Sequence, residues 1–370
     1  MAWEVKEFEE CLDKVAYPTK IQRKDFLESG DFPIVSQEQD LINGYWNNSE
    51  DLVKVTKPII IFGDHTQVLK FIEFDFVLGA DGVKILKPIA KIESKFFFYC
   101  LQSVNLRSLG YARHYRLLKE LKIPIPPLAE QKRIVAILDE AFSAISTAKE
   151  NAEKNLKNSK ELFESYLNNI FEKKGKDWKE KKLGEVCDVR DGTHDSPKYH
   201  KEGYAFVTSK NLKIDTIDLI NVNLISEQDY TKINERSKVD KGDILFAMIG
   251  TIGNPVVVEM IPNFAIKNVA LIKVPKLQSN YFLKYYLGSR FVIDKMAQDS
   301  KGSTQQFVGL GYLRNFKINL PPLKEQQRIV AKLDALSEQT KKLEAVYSKK
   351  LADLDELKKS ILQKAFRGEL

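Results

Sequence analysis

The sequence predicts an α+β protein built twice: two strand-rich globules, each followed by a long helix, the helices pairing as an antiparallel coiled coil with pseudo-two-fold symmetry. Three observations predict it. PPLAEQKRIVAILD at residues 126–139 returns as PPLKEQQRIVAKLD at residues 321–334, with eleven of fourteen positions identical at an offset of 195, and an internal repeat constrains the fold before any other feature does. The residues that follow each copy place apolar side chains at alternating steps of four and three, the period of a coiled-coil seam. The segments ahead of each copy break into short β-branched and aromatic runs separated by Gly, Asn, Asp and Pro.

Residues 1–122 form the first globule. Trp3 opens it in WEVKEFEEC, and FPIVS from Phe32, KPIIIFGD from Lys57 and FDFVLGADGVKILKP from Phe74 predict strands, with KFFFYCLQ from Lys95 as a short aromatic helix. Tyr45 and Trp46 in NGYWNN have the Asn- and Gly-rich flanks of a loop but the bulk of core residues. Residues 123–172 form the first helical segment. Its Pro-Pro pair ends a strand and admits a helix, and Glu130 falls in the first turn, where the helix dipole favours negative charge. Ile134, Leu138, Ala141, Ile145, Ala148, Ala152, Leu156, Ser159, Phe163, Leu167 and Ile170 trace its seam.

Residues 173–317 repeat the globule. WKEKKLGEVC from Trp178, AFVTS from Ala205, KGDILFAMIG from Lys241, FAIKNVALIKVP from Phe264 and NYFLKYYLGS from Asn280 parallel the five runs of the first, and the offset grows from 175 to 195, so the second globule holds about twenty extra residues. Residues 318–370 repeat the helix, with Ile329, Leu333, Leu336, Thr340, Leu343, Tyr347, Leu351, Leu354, Leu357 and Ile361 on the seam. Residues 122–171 and 317–366 align without a gap. A one-residue deletion would turn everything beyond it by about 100°, off the seam.

Composition narrows the class. At 370 residues with 43% apolar side chains, the chain can bury two or three cores and is not a disordered polymer. No run approaches the eighteen apolar residues of a membrane span, and the acidic start MAWEVKEFEECLDKV does not read as a secretory signal. Cys11, Cys100 and Cys187 are odd in number and far apart, which predicts free thiols in a reducing cytoplasm rather than a metal site or a disulfide framework. Of the net charge of +7, the first globule contributes 17 cations against 18 carboxylates, and the second contributes 24 against 17. That excess permits a nucleic-acid partner without establishing one.

These residues carry a resemblance to the specificity subunit of type I restriction–modification systems. IPIPPLAEQKRIVAILD, INLPPLKEQQRIVAKLD and the ending ILQKAFRGEL resemble that family's conserved helical regions. DGTHDSPKY from Asp191, KGDILFAMIGTIG from Lys241 and GSTQQFVGLGYLRNFKINLPPL from Gly302 resemble its target recognition domains. The first globule departs most, with YPTKIQRKD where DGTH would stand. The resemblance implies that residues 1–122 and 173–317 are two target recognition domains, each reading one half of a split site in double-stranded DNA, and that residues 123–172 and 318–370 are helical spacers. It implies docking of two modification subunits, which bind S-adenosylmethionine and methylate adenine, and optional restriction subunits that use ATP and Mg²⁺. A repeated chain offers equivalent platforms to two copies of one partner. Each helix of about 45 residues is roughly 65–70 Å long, and two elements reading one side of B-DNA prefer centres about 34–36 Å apart, so half-sites centred about ten base pairs apart, with an unread spacer set by helix length, are expected.

For DNA contact the sequence nominates Lys20, Arg23, His65, Thr66, Arg113 and His114 in the first globule, and Thr193, His194, Lys198, Tyr199, Lys210, Asn211, Lys301, Ser303, Thr304 and Gln305 in the second. These are cations, amides, hydroxyls and rings in turn-rich stretches, suited to phosphates and base edges. For partner docking it nominates Glu130, Gln131 and Arg133 with their copies Glu325, Gln326 and Arg328. The competing class is an enzyme. Every Pro-Pro pair is followed by Leu and opens a helix, which differs from the Asn/Asp-Pro-Pro-aromatic loop of an adenine methyltransferase. Asp81 with Glu93 and Lys95 is the one candidate for a nuclease-type Mg²⁺ site, and the second copy has Gln278, Ser279 and Asn280 in place of Glu93, Ser94 and Lys95. The chain is therefore expected to have no catalytic site and no cofactor of its own.

Overall fold

The structure, a computed structural model, describes all residues except 1–2, 81, 111, 174, 251 and 300–307. The chain divides into two compact units, Met1–Glu153 with Lys349–Leu370, and Lys154–Ser348.

In the first unit, β1 (Glu4–Glu7) is followed by β2 (Phe32–Val35), β3 (Gly44–Trp46), β4 (Leu52–Val53), β5 (Ile59–Gly63), β6 (Leu69–Ile72), β7 (Phe76–Leu78) and β8 (Val83–Leu86). Helices α1 (Ser94–Ser103) and α2 (Tyr115–Lys119) lead to β9 (Lys122–Ile125) and the long helix α3 (Leu128–Glu172). The strands make sheets ordered β3-β2-β7-β4 and β6-β5-β8, with β1 paired to β9. Trp46 lies in β3 opposite Phe32, and its indole NH donates to Asp51 Oδ2 at 2.9 Å.

The period of two explains the layers. Every residue of β5 is buried. Ile60 and Phe62 face Phe96, Phe97, Ile134 and Leu138, whereas Ile59 and Ile61 face Val35, Phe76 and Leu78. One sheet is thus packed on both faces, by helices on one side and the other sheet on the other, and a strand so placed reads as an unbroken apolar run.

The second unit has the same plan. It runs β10 (Lys179–Lys182), α4 (Leu183–Val186), β11 (Asp188–Asp191), β12 (Tyr204–Thr208), β13 (Leu212–Lys213), β14 (Thr216–Ile217), β15 (Asn223–Ile225), α5 (Glu227–Ser237), β16 (Ile244–Ala247), β17 (Gly253–Val257), β18 (Phe264–Lys267), β19 (Val269–Lys273), α6 (Asn280–Gly288), α7 (Arg290–Asp299), α8 (Leu310–Asn315), β20 (Lys317–Leu320) and α9 (Leu323–Arg367). Its sheets are ordered β15-β12-β18 and β11-β19-β16-β17, with β10 paired to β20. The parallel pair β2–β7 recurs as β12–β18, and β5 recurs as β16, which also splits its residues between two cores: Ile244 and Phe246 to one, Leu245 and Ala247 to the other. The additions of the second copy include β11, the β13–β14 hairpin, α5 and α7.

In each unit the start of one long helix packs beside the end of the other. Ile134 and Leu138 share a core with Leu362 and Ala365, and Leu167 and Phe171 share one with Ile329 and Leu333. The expected seam on α3 is buried or half-buried at every position. On α9 it is corrected at two. Leu343 and Leu357 are 41% and 47% exposed. Beyond Leu354 the seam passes through Lys358, whose Nζ lies 5.0 Å from the Phe142 ring centroid, to buried Leu362 and Ala365. The long alkyl stem of a lysine can cover apolar surface while its charge stays in water.

Candidate nucleic-acid interface

In both units most of the described DNA-contact nominations lie where β2, β5 and β7, or β12, β16 and β18, end. In the first unit the segment holding Lys20 and Arg23 is tied at Ile21, whose backbone accepts from Ala80 and donates to Leu78. Arg23 pairs with Glu38 at 2.8 Å. Next to Glu38, Gln37 grips the following loop: its side-chain oxygen accepts from the His65 backbone at 3.2 Å, and its carbonyl accepts from Thr66 Oγ1 at 2.7 Å. Asn43 fastens the loop after β2, accepting from both the backbone and the hydroxyl of Ser36. Lys70, only 4% exposed, donates to Asp40 O and to Asn43 Oδ1, and burial pushes its ammonium down to about 8. Arg113 and Thr66 are exposed, and Lys20 lies 5.3 Å from the Tyr17 ring centroid.

In the second unit Asp191, 4% exposed, ends β11 and anchors the next turn by pairing with Arg236 and, at 3.1 Å, with His194 Nε2. Gly192 allows the chain to pass against β18, since a Cβ there would meet Ile266 O at 2.3 Å. Thr193 Oγ1 accepts from the Asp195 backbone, and Lys198 and Tyr199 are exposed. Tyr199, Ser209, Lys210, Asn223, Lys267 and Asn268 line a cleft of about 510 Å³. The chain following residues 300–307 returns beside it, where Val308 N donates to Met248 O at 3.0 Å. Lys301, Ser303, Thr304 and Gln305 lie outside the described residues.

Four nominations are corrected. His114 is 1% exposed; its Nε2 accepts from Leu109 N at 3.0 Å and its Nδ1 lies 3.0 Å from Asp64 O, so neither nitrogen is available to a groove. Asn211 is 6% exposed and spends its amide on Thr208, Asp218 and Asn221. It fastens the loop after β12 much as Asn43 fastens the loop after β2. Gln131 and Gln326, at 0% and 1% exposure, are not surface contacts. Gln131 Oε1 accepts from Glu93 N at 2.8 Å and its Nε2 donates to Lys91 O and Pro126 O. Gln326 does the same with Ser279 N, Gln278 Oε1 and Pro321 O. Each buried amide locks the entry of a short aromatic helix against the Pro-Pro turn.

Glu130, Arg133, Glu325 and Arg328 remain on the surface. Arg133 grips Glu130 through Nε and Nη2 at 2.8 and 2.7 Å, and Arg328 grips Glu325 at 2.7 and 2.6 Å. The guanidinium holds each carboxyl below the usual carboxylate range. Two members of the nuclease trio have partners within the chain. Glu93 caps α1 through the Phe96 backbone and Lys95 pairs with Asp139 at 2.8 Å, while Asp81 lies outside the described residues. Burial pushes the thiols of Cys11, Cys100 and Cys187 up to about 11, 12 and 12, where they are unreactive. No helix among the described residues is long and apolar enough to cross a membrane.

Sequence reasoning missed Asp191, Asn223, Lys267 and Asn268. A signal existed for the last: an Asn interrupting the β-branched run FAIKNVALIK marks a place where the backbone turns left-handed.

Two related units with two long helices, each gathering its polar loops at matching strand ends, have the fold of solved chains from type I restriction–modification systems. One, from a structural study of complex assembly and conformational transition of the type I R-M system, aligns with a TM-score of 0.75 at 21% identity over 100% of this chain and 98% of its own. The HsdS subunit from Thermoanaerobacter tengcongensis aligns at 0.64 and 21% identity, over 100% and 97%. The family described as the type I restriction modification DNA specificity domain matches residues 2–157 and 175–351, and the chain belongs to it. Curated relatives include the type I restriction enzyme EcoBI specificity subunit of Escherichia coli, 26% identical over 88% of this chain and 75% of that one. Another is the MjaVIII specificity subunit of Methanocaldococcus jannaschii, 25% identical over 86% and 82%. The chain is a specificity subunit of a type I system, a non-catalytic partner in DNA recognition.

Proposed function

We propose that the chain reads a bipartite target in double-stranded DNA, one half-site per unit with an unread spacer between, and docks two modification subunits. Residues 1–122 and 173–317 serve as the target recognition domains, and the two helical segments as spacers. Lys20, Arg23, His65, Thr66 and Arg113 in the first unit, and Thr193, His194, Lys198, Tyr199, Lys210 and the 301–305 segment in the second, form or support the reading surfaces. Glu130–Arg133 and Glu325–Arg328 are the docking contacts. S-adenosylmethionine binds in the modification subunits, which transfer its methyl group to adenine; restriction subunits that use ATP and Mg²⁺ join as further partners. The assembly works in the cytoplasm.

The observation that carries this reading is the duplication itself. Both strand-rich plans, both loop clusters and both exposed Glu–Arg pairs recur, whereas Gln131, Asp139 and their copies are spent inside the chain. An exposed pair kept in both copies suits one partner bound twice.

The test co-expresses the chain with its modification subunit, maps methylated adenines and weighs the complex. Arg133→Glu is expected to release one modification subunit and Arg328→Glu the other, with the mapped target split in two. If both single variants still assemble with two partners, the docking assignment is wrong; a target without an unread spacer removes the bipartite reading.

A further inference from the structure

We infer that Asn268 is a positioning residue for target reading in the second unit: it fixes the DGTH turn and the loop after β12 relative to each other. Asn268 sits between β18 and β19 with φ of +53°, a left-handed conformation that costs most non-glycine residues energy and that Asn tolerates best. From there it reaches two loops. Its backbone NH donates to Thr193 O at 3.2 Å and its Oδ1 lies 2.6 Å from His194 Nδ1, which holds the DGTH turn. Its carbonyl accepts from Ser209 Oγ at 3.2 Å, which holds the loop carrying Lys210. On its far side the His194 ring meets Oδ2 of Asp191, whose Oδ1 is held by Arg236 from α5.

His194, though 59% exposed in its side chain, is thus clamped at both nitrogens. It acts as a strut between a buried carboxylate and Asn268. Asn268 also lines the cleft between Tyr199 and Lys210. Base readout demands side chains held to a fraction of an ångström, and this strained residue makes the cleft's two walls one body. Loss of the clamp lets the walls move independently, so discrimination falls while the phosphate-driven part of affinity, which needs only nearby cations, persists.

The inference rests on the DNA-reading proposal, and the experiment separates the two. The full chain is purified with its modification subunit and assayed for methylation of duplexes carrying the mapped target or one changed base in either half. Asn268→Gly keeps the left-handed backbone at no steric cost and removes the side-chain oxygen; Asn268→Asp keeps an oxygen facing His194. Asn268→Gly is expected to lower discrimination by about tenfold, the worth of one well-read base pair. The loss falls only at the half-site that also responds to Lys210→Ala, with complex mass and melting temperature as in the wild type, and Asn268→Asp restores most of it. Wild-type discrimination in Asn268→Gly, equal relaxation at both half-sites, or no rescue by Asn268→Asp overturns the inference. If Asn268→Gly fails to assemble, Ser209→Ala decides: relaxation of the same half-site supports the clamp and wild-type behaviour overturns it. A wild-type complex that methylates no defined target sinks the DNA-reading proposal instead.

Discussion

At the scale of single residues, the repeated motif has two audiences inside one sentence. Gln131 and Asp139, with Gln326 and Asp334, speak to their own unit. The glutamines lock helix entries, and the aspartates accept from Tyr99 and Tyr285, at 2.5 and 2.6 Å. Glu130 and Arg133, with Glu325 and Arg328, face outward. Gln131→Leu is expected to cost about 3 kcal/mol, because it strands Glu93 N, Lys91 O and Pro126 O without partners in a dry site. Glu130→Ala should cost less than about 1 kcal/mol, as exposed ion pairs do, with denaturant unfolding as the measure for both; equal costs would mean the glutamine is not structural. Lys70 makes a prediction in pH. Its folded pKa of about 8 lies below the ordinary 10.5. Between those values the unfolded chain holds a proton that the folded chain has released, so this group's contribution to stability rises with pH across that window. The gap in unfolding free energy between wild type and Lys70→Gln should shift in favour of the wild type by about 1 to 3 kcal/mol from pH 8 to 10.5. The raised thiols of Cys11 and Cys100 act oppositely above pH 9 but are common to both proteins and cancel. A gap independent of pH would mean that Lys70 is not desolvated in solution.

At the scale of elements, the seam is where packing overrules periodicity. Leu357 has the right spacing and Leu333 does too, yet Leu333 is fully buried and Leu357 is 47% exposed. The two helices offer facing surfaces only in certain phases, and the seam on α9 steps past Leu357 to put Leu362 and Ala365 beside Leu138. Leu333→Ala is accordingly expected to cost about 3 kcal/mol, the ordinary penalty for a cavity in a tight core, and Leu357→Ala under about 1 kcal/mol. Thermal melts of the two variants check this. Similar losses would place Leu357 in a core after all. Exposed Leu357 has an exposed copy in Leu162, at 47% and 50%; neither is needed by the seam.

At the scale of the whole molecule, pairing on α3 and α9 fixes how a length change must be made. Lys149 bonds Asp355 at 2.8 Å and Lys358 lies over Phe142, so Ala148 and Ala352 stand near one level of the coiled coil. Lengthening one helix alone would slip every later pair. Inserting four residues after both Ala148 and Ala352 adds about 6 Å at nearly constant phase. If the helices are the ruler of the proposed split target, its spacer grows by one or two base pairs of about 3.4 Å each. Two-residue insertions turn the seam by about 200° and should prevent assembly. Methylome sequencing reads both outcomes, and an unchanged spacer with the four-residue pair would show that the helices do not set the distance.

The sequence by itself determined the duplication, the helix starts at the Pro-Pro pairs, the strands in the runs from Phe32, Lys57, Phe74, Ala205, Lys241 and Phe264, and the family resemblance. Each of these is written in periods and turn residues that act over a few positions, and a repeat is visible without any structure. Which polar residues face outward was decided only by the tertiary structure. A glutamine in a first helical turn and a histidine beside an arginine look like surface groups in a linear chain. Gln131, Gln326, His114 and Asn211 are buried because segments 40 to 50 positions away, or a neighbouring loop, bring backbone groups that need partners. Satisfaction of buried hydrogen bonds is a long-range condition, and no local pattern encodes it.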